Sequence, residues 1–336
     1  MPSSPLTRPV DPFLQAFIEA RALDGMCVFP VDDTAGPQGL RQAFGFHKDD
    51  FGICAFMGHL KPKGIPKLWK VVQDYPKKLV QLNEHYNARL WCMNGGGNWK
   101  GCAPSDRGLM DQWARGATEL GVPGYFVTMT NIVQFEGIAP TNGRTACIDH
   151  FPGEERIGAR TDALINLPSF FVIFPGGVGT DGELSLLFTN ISIANAEDEK
   201  KAVIFDPIMI DPVTNKKTRC WDLQLAHFVR QNRTGFISDR SARNINASCI
   251  RYCPGEHLSA TEQVQELVSL TLTTRDMKQG GGILPLKDKL RARHIQPLSS
   301  TSKLRPIFPD HPVRNEWVGQ VTNLLTVEKR ASRYAL

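Results

Sequence analysis

Phe170-Phe171-Val172-Ile173-Phe174-Pro175-Gly176-Gly177-Val178-Gly179-Thr180-Asp181-Gly182-Glu183 is the stretch whose reading decides the fold. Its first five residues are a continuous apolar run, as expected of a strand covered on both faces of a sheet. The glycines follow at once, and a helix is expected from about Asp181. Without a Cβ, Gly176, Gly177 and Gly179 let backbone N–H groups come close to an anion. The helix start adds unpaired donors and a partial positive charge. The Thr180 hydroxyl is a further donor to phosphate, or a helix cap. Strand, glycine loop and helix together read as a phosphate cradle. It has no P-loop lysine, which argues against triphosphate chemistry, and it is not Gly-x-Gly-x-x-Gly.

Outward from this loop the chain alternates strand and helix. Gly52–Met57 reads as a buried strand ending at Gly58-His59, followed by a helix around 68–85. Leu90–Met93 is a second strand, running into Asn94-Gly95-Gly96-Gly97. Gly108–Gly121 is helical, with Leu109, Trp113, Ala117 and Leu120 on one face. Tyr125–Val127 is a short strand, and Glu155–Leu167 a helix that precedes the decisive stretch. After it come a strand at Ala202–Phe205, a helix at Cys220–Gln231, an edge strand at Ser248–Tyr252 and a helix opened by a Ser259/Glu262 capping box. This order predicts an α/β protein with a doubly wound parallel sheet. Residues 51–275 would form that domain. Residues 1–50 read as a helical appendage whose helix starts at Asp11-Pro12. Residues 276–336 read as an irregular extension, rich in glycine and proline.

The totals set limits. The 336 residues are 41% hydrophobic and 22% charged, which is soluble globular composition. There is no apolar run long enough for a membrane span and no signal-like start, so a cytoplasmic protein is expected. The eight cysteines are scattered; Cys249, Cys253 and His257, four apart but split by Pro254-Gly255, make a poor zinc set. The net charge of +5 is uneven: Lys278–Leu336 holds 11 Lys/Arg against 4 Asp/Glu, or +7, leaving −2 for the rest. That tail lacks the aromatic interleaving of a nucleic-acid binder, so a solvated surface or an oligomer contact is the expected role.

Pro-Gly-Gly-x-Gly-Thr-x-x-Glu, matched at every fixed position by Pro175–Glu183, resembles the signature of the Lonely-guy family. That family also carries an arginine fifteen residues before the proline, where Arg160 stands. Gly58-His59, Met129-Thr130, Glu154-Glu155-Arg156 and the valine in the motif are similar to the bacterial purine/pyrimidine nucleotide nucleosidase branch. The resemblance spans about Phe51–Arg275 and implies a Rossmann-like fold. It further implies a phosphoribohydrolase that splits a nucleoside 5′-monophosphate into free base and ribose 5-phosphate, acting as a homo-oligomer (dimer or tetramer). It departs from the family at Asn98–Arg107, inserted before Gly108-Leu109-Met110, and at Thr161 after the arginine.

Breaking an N-glycosidic bond builds positive charge on the ribose, which a neighbouring carboxylate stabilises while it orients or deprotonates water. Glu183 is placed for that role and Arg160 for clamping phosphate or helping the base depart. Gly58, His59, Gly95, Gly96, Gly97, Met110, Gly176, Gly177, Gly179 and Thr180 are the expected substrate contacts. The chemistry needs no metal or other cofactor. The rival reading is a binding or carrier protein of the same fold that holds a nucleotide or cofactor without cleaving it. No lysine in the motif region is placed for a Schiff base, which sets a pyridoxal-phosphate decarboxylase aside.

Overall fold

A computed structural model describes residues 9–32, 36–47, 50–58, 63–65, 67–84, 90–96, 108–119, 124–129, 133, 144–149, 157–193, 200–278 and 298–311. Among them, nine strands form one sheet in the order β1-β5-β4-β3-β2-β6-β7-β10-β11. The strands are β1 (Cys27–Asp32), β2 (Phe51–Phe56), β3 (Leu90–Asn94), β4 (Gly124–Met129), β5 (Arg144–Asp149), β6 (Phe170–Ile173), β7 (Lys201–Phe205), β10 (Cys249–Cys253) and β11 (Lys303–Arg305). β8 (Ile208–Ile210) and β9 (Lys217–Arg219) make a separate hairpin. The pairings β1/β5, β5/β4, β4/β3, β3/β2 and β7/β10 are parallel, and β10/β11 is antiparallel. This is the mostly parallel α/β sheet that the strand–helix alternation predicts. No described helix is long and apolar enough to cross a membrane.

By their contacts the residues group into two compact units. The first comprises Met1–Pro62, Val72–Phe171 and Gly176–Glu183. Its N-terminal stretch contains the expected helix, α1 (Pro12–Leu23), capped by Asp11, whose carboxylate accepts from the Phe13 and Leu14 amides at 2.9 and 3.1 Å. The same stretch also supplies α2 (Gly36–Phe44) and β1, whose six residues pair in register with β5. Neither β1 nor β5 is apparent in the sequence. β1 carries Pro30 in mid-strand, which only an edge strand tolerates, and it lies at the edge. Leu14 packs into a buried cluster with Met26, Val28, Ala114, Phe126 and Cys147. An aromatic group binds α2 to the strands: Phe46 stacks flat on Trp91 at 4.0 Å and meets Tyr125 edge-on at 4.7 Å. The Trp91 ring lies where a side chain at position 52 would go, so Gly52 is the residue that admits it.

Helix α3 (Leu68–Glu84) and α4 (Leu109–Glu119) match the sequence expectation to within two residues. They approach closely because Gly116 faces the Gln73 carbonyl; a Cβ there would also lie 3.0 Å from the Gln73 carbonyl carbon. α5 (Ile157–Asn166) leads to β6, and α6 (Val178–Ile193) leaves it. α6 begins three residues earlier than expected, because glycines 176 and 177 serve as its entry rather than as a loop preceding it. Asp181 N–H already donates to the Gly177 carbonyl at 3.1 Å.

The second unit comprises Lys63–Val71, Val172–Pro175 and Leu184–Leu336. It contains β7, fully buried, followed by the β8–β9 hairpin, α7 (Asp222–Arg233), α8 (Asp239–Ser248), β10 and α9 (Ala260–Lys278). The capping box is present: Ser259 Oγ accepts from the Glu262 amide at 3.2 Å and the Glu262 carboxylate accepts from the Ser259 amide at 2.7 Å. β10 was expected at the edge of the sheet, but β11 adds outside it, pairing Arg251 with Arg305 and Cys253 with Lys303. A buried network anchors this addition, in which Glu266 accepts from the Tyr252 hydroxyl at 2.5 Å and from the Ser302 hydroxyl at 2.7 Å. Most of the expected C-terminal extension, residues 279–297 and 312–336, lies outside the described residues.

The α3–α4 approach gives a test of the packing. Alanine is the better helix former by about 1 kcal/mol, so propensity alone predicts that Gly116→Ala stabilises. The obstructing atom is backbone carbonyl, which cannot swing aside. A net loss of about 1–3 kcal/mol is therefore expected from denaturant unfolding.

Candidate functional site

Strand order places a reversal of chain direction across the sheet between β2 and β6. From β2 the chain proceeds through β3, β4 and β5 to one side, and from β6 through β7 and β10 to the other. In open α/β sheets ligands bind outside the carboxyl ends of the strands at such a reversal. The residues there are Gly58 after β2 and the glycine segment after β6. The two backbones nearly touch: a Cβ on Gly58 would sit 3.3 Å from the Gly176 Cα, and one on Gly176 would sit 2.9 Å from the Gly58 amide. A side chain at Gly176 would force the segments apart, and one at Gly58 would need the neighbour to give by a few tenths of an ångström.

Gly176, Gly177, Val178 and Gly179 are exposed, and Val178 keeps 90% of its surface open. These exposed positions carry the first amides of α6, and among the described residues nothing lies within 4 Å of where a Cβ at Gly177 or Gly179 would be. This is an open helix N-terminus suited to an anion. Thr180 also has a structural part. It is buried, and its hydroxyl occupies the space a Gly176 side chain would need, so it supports the turn from within.

Glu183 lies one and a half turns into α6 and is almost buried. Its carboxylate pairs with the Arg160 guanidinium at 3.7 Å, both side chains being nearly closed to solvent at 11% and 12% exposure. Arg160, on α5, also donates through Nε to the Val127 carbonyl at 3.1 Å. Burial pushes the Glu183 carboxyl above its ordinary 4.5, and the Arg160 charge opposes that rise. A carboxyl raised in this way exchanges protons closer to neutrality, a property found at catalytic positions and in buried ion pairs alike.

Gly95 joins this pair. The Arg160 guanidinium fills the space a Gly95 side chain would occupy, and the Met110 sulfur would stand 3.6 Å from that Cβ. Gly96 adopts φ +69°, the left-handed conformation, with Phe126 packed where a side chain would be. Asn94 was not singled out from the sequence, yet it sets this turn: its buried Oδ1 accepts the Gly96 amide at 2.7 Å. An asparagine ahead of glycines at a strand end is a recognisable side-chain-to-backbone turn. The structure thus brings together Gly58, Gly95, Gly96, Met110, Arg160, Gly176, Gly177, Gly179, Thr180 and Glu183. His59 and Gly97 lie outside the described residues.

No protein family matches the sequence, and neither does any curated protein. Solved structures do resemble it. A molybdenum cofactor binding protein from Rippkaea orientalis is 15% identical with a TM-score of 0.34, over 56% of this chain and 87% of that one. The molybdenum cofactor carrier protein of Chlamydomonas reinhardtii is 16% identical with a TM-score of 0.28, over 46% of this chain and 76% of that one. At these identities the likeness is one of fold alone.

Gly95→Ala tests the geometry without presupposing a reaction. The obstructing atoms are the far end of a flexible side chain, so stability should fall by less than about 1 kcal/mol. Arg160 must move, however, and its opposition to the rise in Glu183 is lost. Carboxyl NMR titration is expected to find Glu183 ionising at higher pH in the variant than in the parent protein.

Proposed function

We propose that this protein binds a nucleoside 5′-monophosphate with its phosphate on the α6 N-terminus, and hydrolyses the base–ribose bond to free base and ribose 5-phosphate. The observation that carries this reading is the buried Arg160–Glu183 pair set behind an open run of helix-start amides. From Gly177 to Glu183 the helix rises about 9 Å, and side chains lean back toward the N-terminus. A ribose whose 5′-phosphate rests on the amides would then lie along this run, with its anomeric carbon toward the carboxylate. As the glycosidic bond breaks, the base leaves with the bond's electron pair and ionised Glu183 stabilises the charge on the ring; the carboxylate takes a proton from the water that adds to the anomeric carbon, and the departing base takes up a proton to leave as free base. Arg160 holds that carboxylate in place and neutralises it in the absence of substrate. The Pro175–Glu183 motif and the Arg160 spacing, similar to the Lonely-guy nucleosidases, support the same chemistry.

A second reading has its own observation. A carboxylate already held by a guanidinium is a weakened base, and on this reading Glu183 only grips ribose hydroxyls in a protein that binds and hands on its ligand. A panel of nucleoside monophosphates separates the two. Release of free base with ribose 5-phosphate supports hydrolysis; saturable binding with no release supports the carrier.

Under the hydrolytic reading Glu183→Ala abolishes release while leaving monophosphate affinity within about tenfold, or 1.4 kcal/mol. An active variant would overturn the mechanism. The pH dependence has a definite sign as well. The ionised carboxylate is the working form, so the rate falls as pH drops through a value above the ordinary 4.5. Arg160→Gln removes the opposing charge and should shift this acid limb further upward, which a pH–rate profile of kcat/KM would detect.

A further inference from the structure

The second unit holds a groove far richer in arginine than its needs for internal pairing. One wall is a stripe of α7 at helical spacing, with Asp222 (paired to Arg251) at its near end, Leu225, Ala226 and Val229 as apolar lining, and Arg230 and Arg233 at its far end. The facing wall is β10 and β11 with the turn that follows, presenting Arg251, Arg305 and Ile307. The space between is about 550 Å³, within the range of small-molecule sites.

Two of the four arginines are committed. Arg251, nearly buried, is held by the carboxylates of Asp206 and Asp222, and Arg233 pairs with Asp310 at 2.6 Å. Arg230 and Arg305 are exposed and have no carboxylate partner among the described residues. Arg305 stands directly opposite Arg251 in the antiparallel register, and the carboxylates on that side are already taken by Arg251. Placing two unneutralised guanidiniums around an apolar floor is unfavourable in the empty protein and favourable once a dianion enters. The planar guanidinium fork suits the oxygens of phosphate.

We propose that this groove is a second binding site, for a small phosphomonoester with an apolar body: the phosphate between Arg230 and Arg305, the body on Leu225, Ala226 and Val229. It is separate in sequence and in its residues from the glycine segment and does not depend on the reaction assigned there.

Phenyl phosphate is the probe, and phenylglyoxal modification of arginine, mapped by mass spectrometry, locates it on the unaltered protein. Saturating phenyl phosphate is expected to protect Arg230 and Arg305 while leaving Arg243, an exposed arginine on α8, as reactive as before. Inorganic phosphate, which lacks the apolar body, should protect clearly less at equal concentration. The double variant Arg230→Gln/Arg305→Gln should weaken calorimetrically measured binding at this site roughly tenfold or more, and Arg243→Gln should leave it unchanged. Unchanged reactivity of Arg230 and Arg305 with ligand present would overturn the proposal. So would equal protection by inorganic phosphate, or protection that grows with protein concentration in the absence of ligand, which would mean that a second copy of the chain covers the groove.

Discussion

Close backbone approach at Gly58 and Gly176 is the constraint on which the candidate site depends. The two segments leave neighbouring strands at the point where the sheet reverses its winding, and they meet with no room for a Cβ on Gly176 and only a tight fit for one on Gly58. That proximity brings the first amides of α6 to the mouth of the crevice and turns Thr180 inward as a prop. The same logic recurs one strand away, where Gly95 makes room for the Arg160 guanidinium and Asn94 bends Gly96 into a left-handed turn. Missing side chains, more than present ones, decide where the charged groups sit.

The charged pair works through burial. In water an arginine and a glutamate 3.7 Å apart interact weakly, but here both are nearly closed to solvent, and removing water raises the carboxyl while its partner holds it down. The outcome is a group raised above its ordinary value, because burial outweighs the arginine that opposes it. A carboxyl so raised suits bond cleavage and suits equally the gripping of a ligand, and the two uses require the same geometry.

The central part of the fold was legible because it obeys simple patterns: a wholly apolar β6, amphipathic α3 and α4, and the capping box of α9. The motif and its arginine spacing made Arg160 and Glu183 candidates before any geometry was known, and the structure brings them into contact. What stayed hidden has physical reasons. β1 contains a proline, and β5, Arg-Thr-Ala-Cys-Ile-Asp, is short and polar at both ends; each is recognised only through the other, 117 residues apart. α8, Asp-Arg-Ser-Ala-Arg-Asn-Ile-Asn-Ala-Ser, is almost entirely polar, and its burial of Ala242, Ile245 and Asn246 comes from tertiary contacts. The start of α6 was placed late because glycines read as loop, although at a helix entry their lack of a side chain costs little and leaves the amides open.

β11 has a consequence for how the chain reaches this state. It is a three-residue strand, yet it is the one that covers β10, and it follows its partner by some fifty residues. Until that late segment emerges from the ribosome, the growing sheet ends in an unshielded row of amides and carbonyls on Cys249–Cys253, a template for pairing with another nascent chain. Glu266, waiting on α9 to receive the Ser302 hydroxyl, acts as a latch that retains the strand once it docks. Docking of β11 therefore closes an edge of the sheet that would otherwise stay open to pairing with another chain.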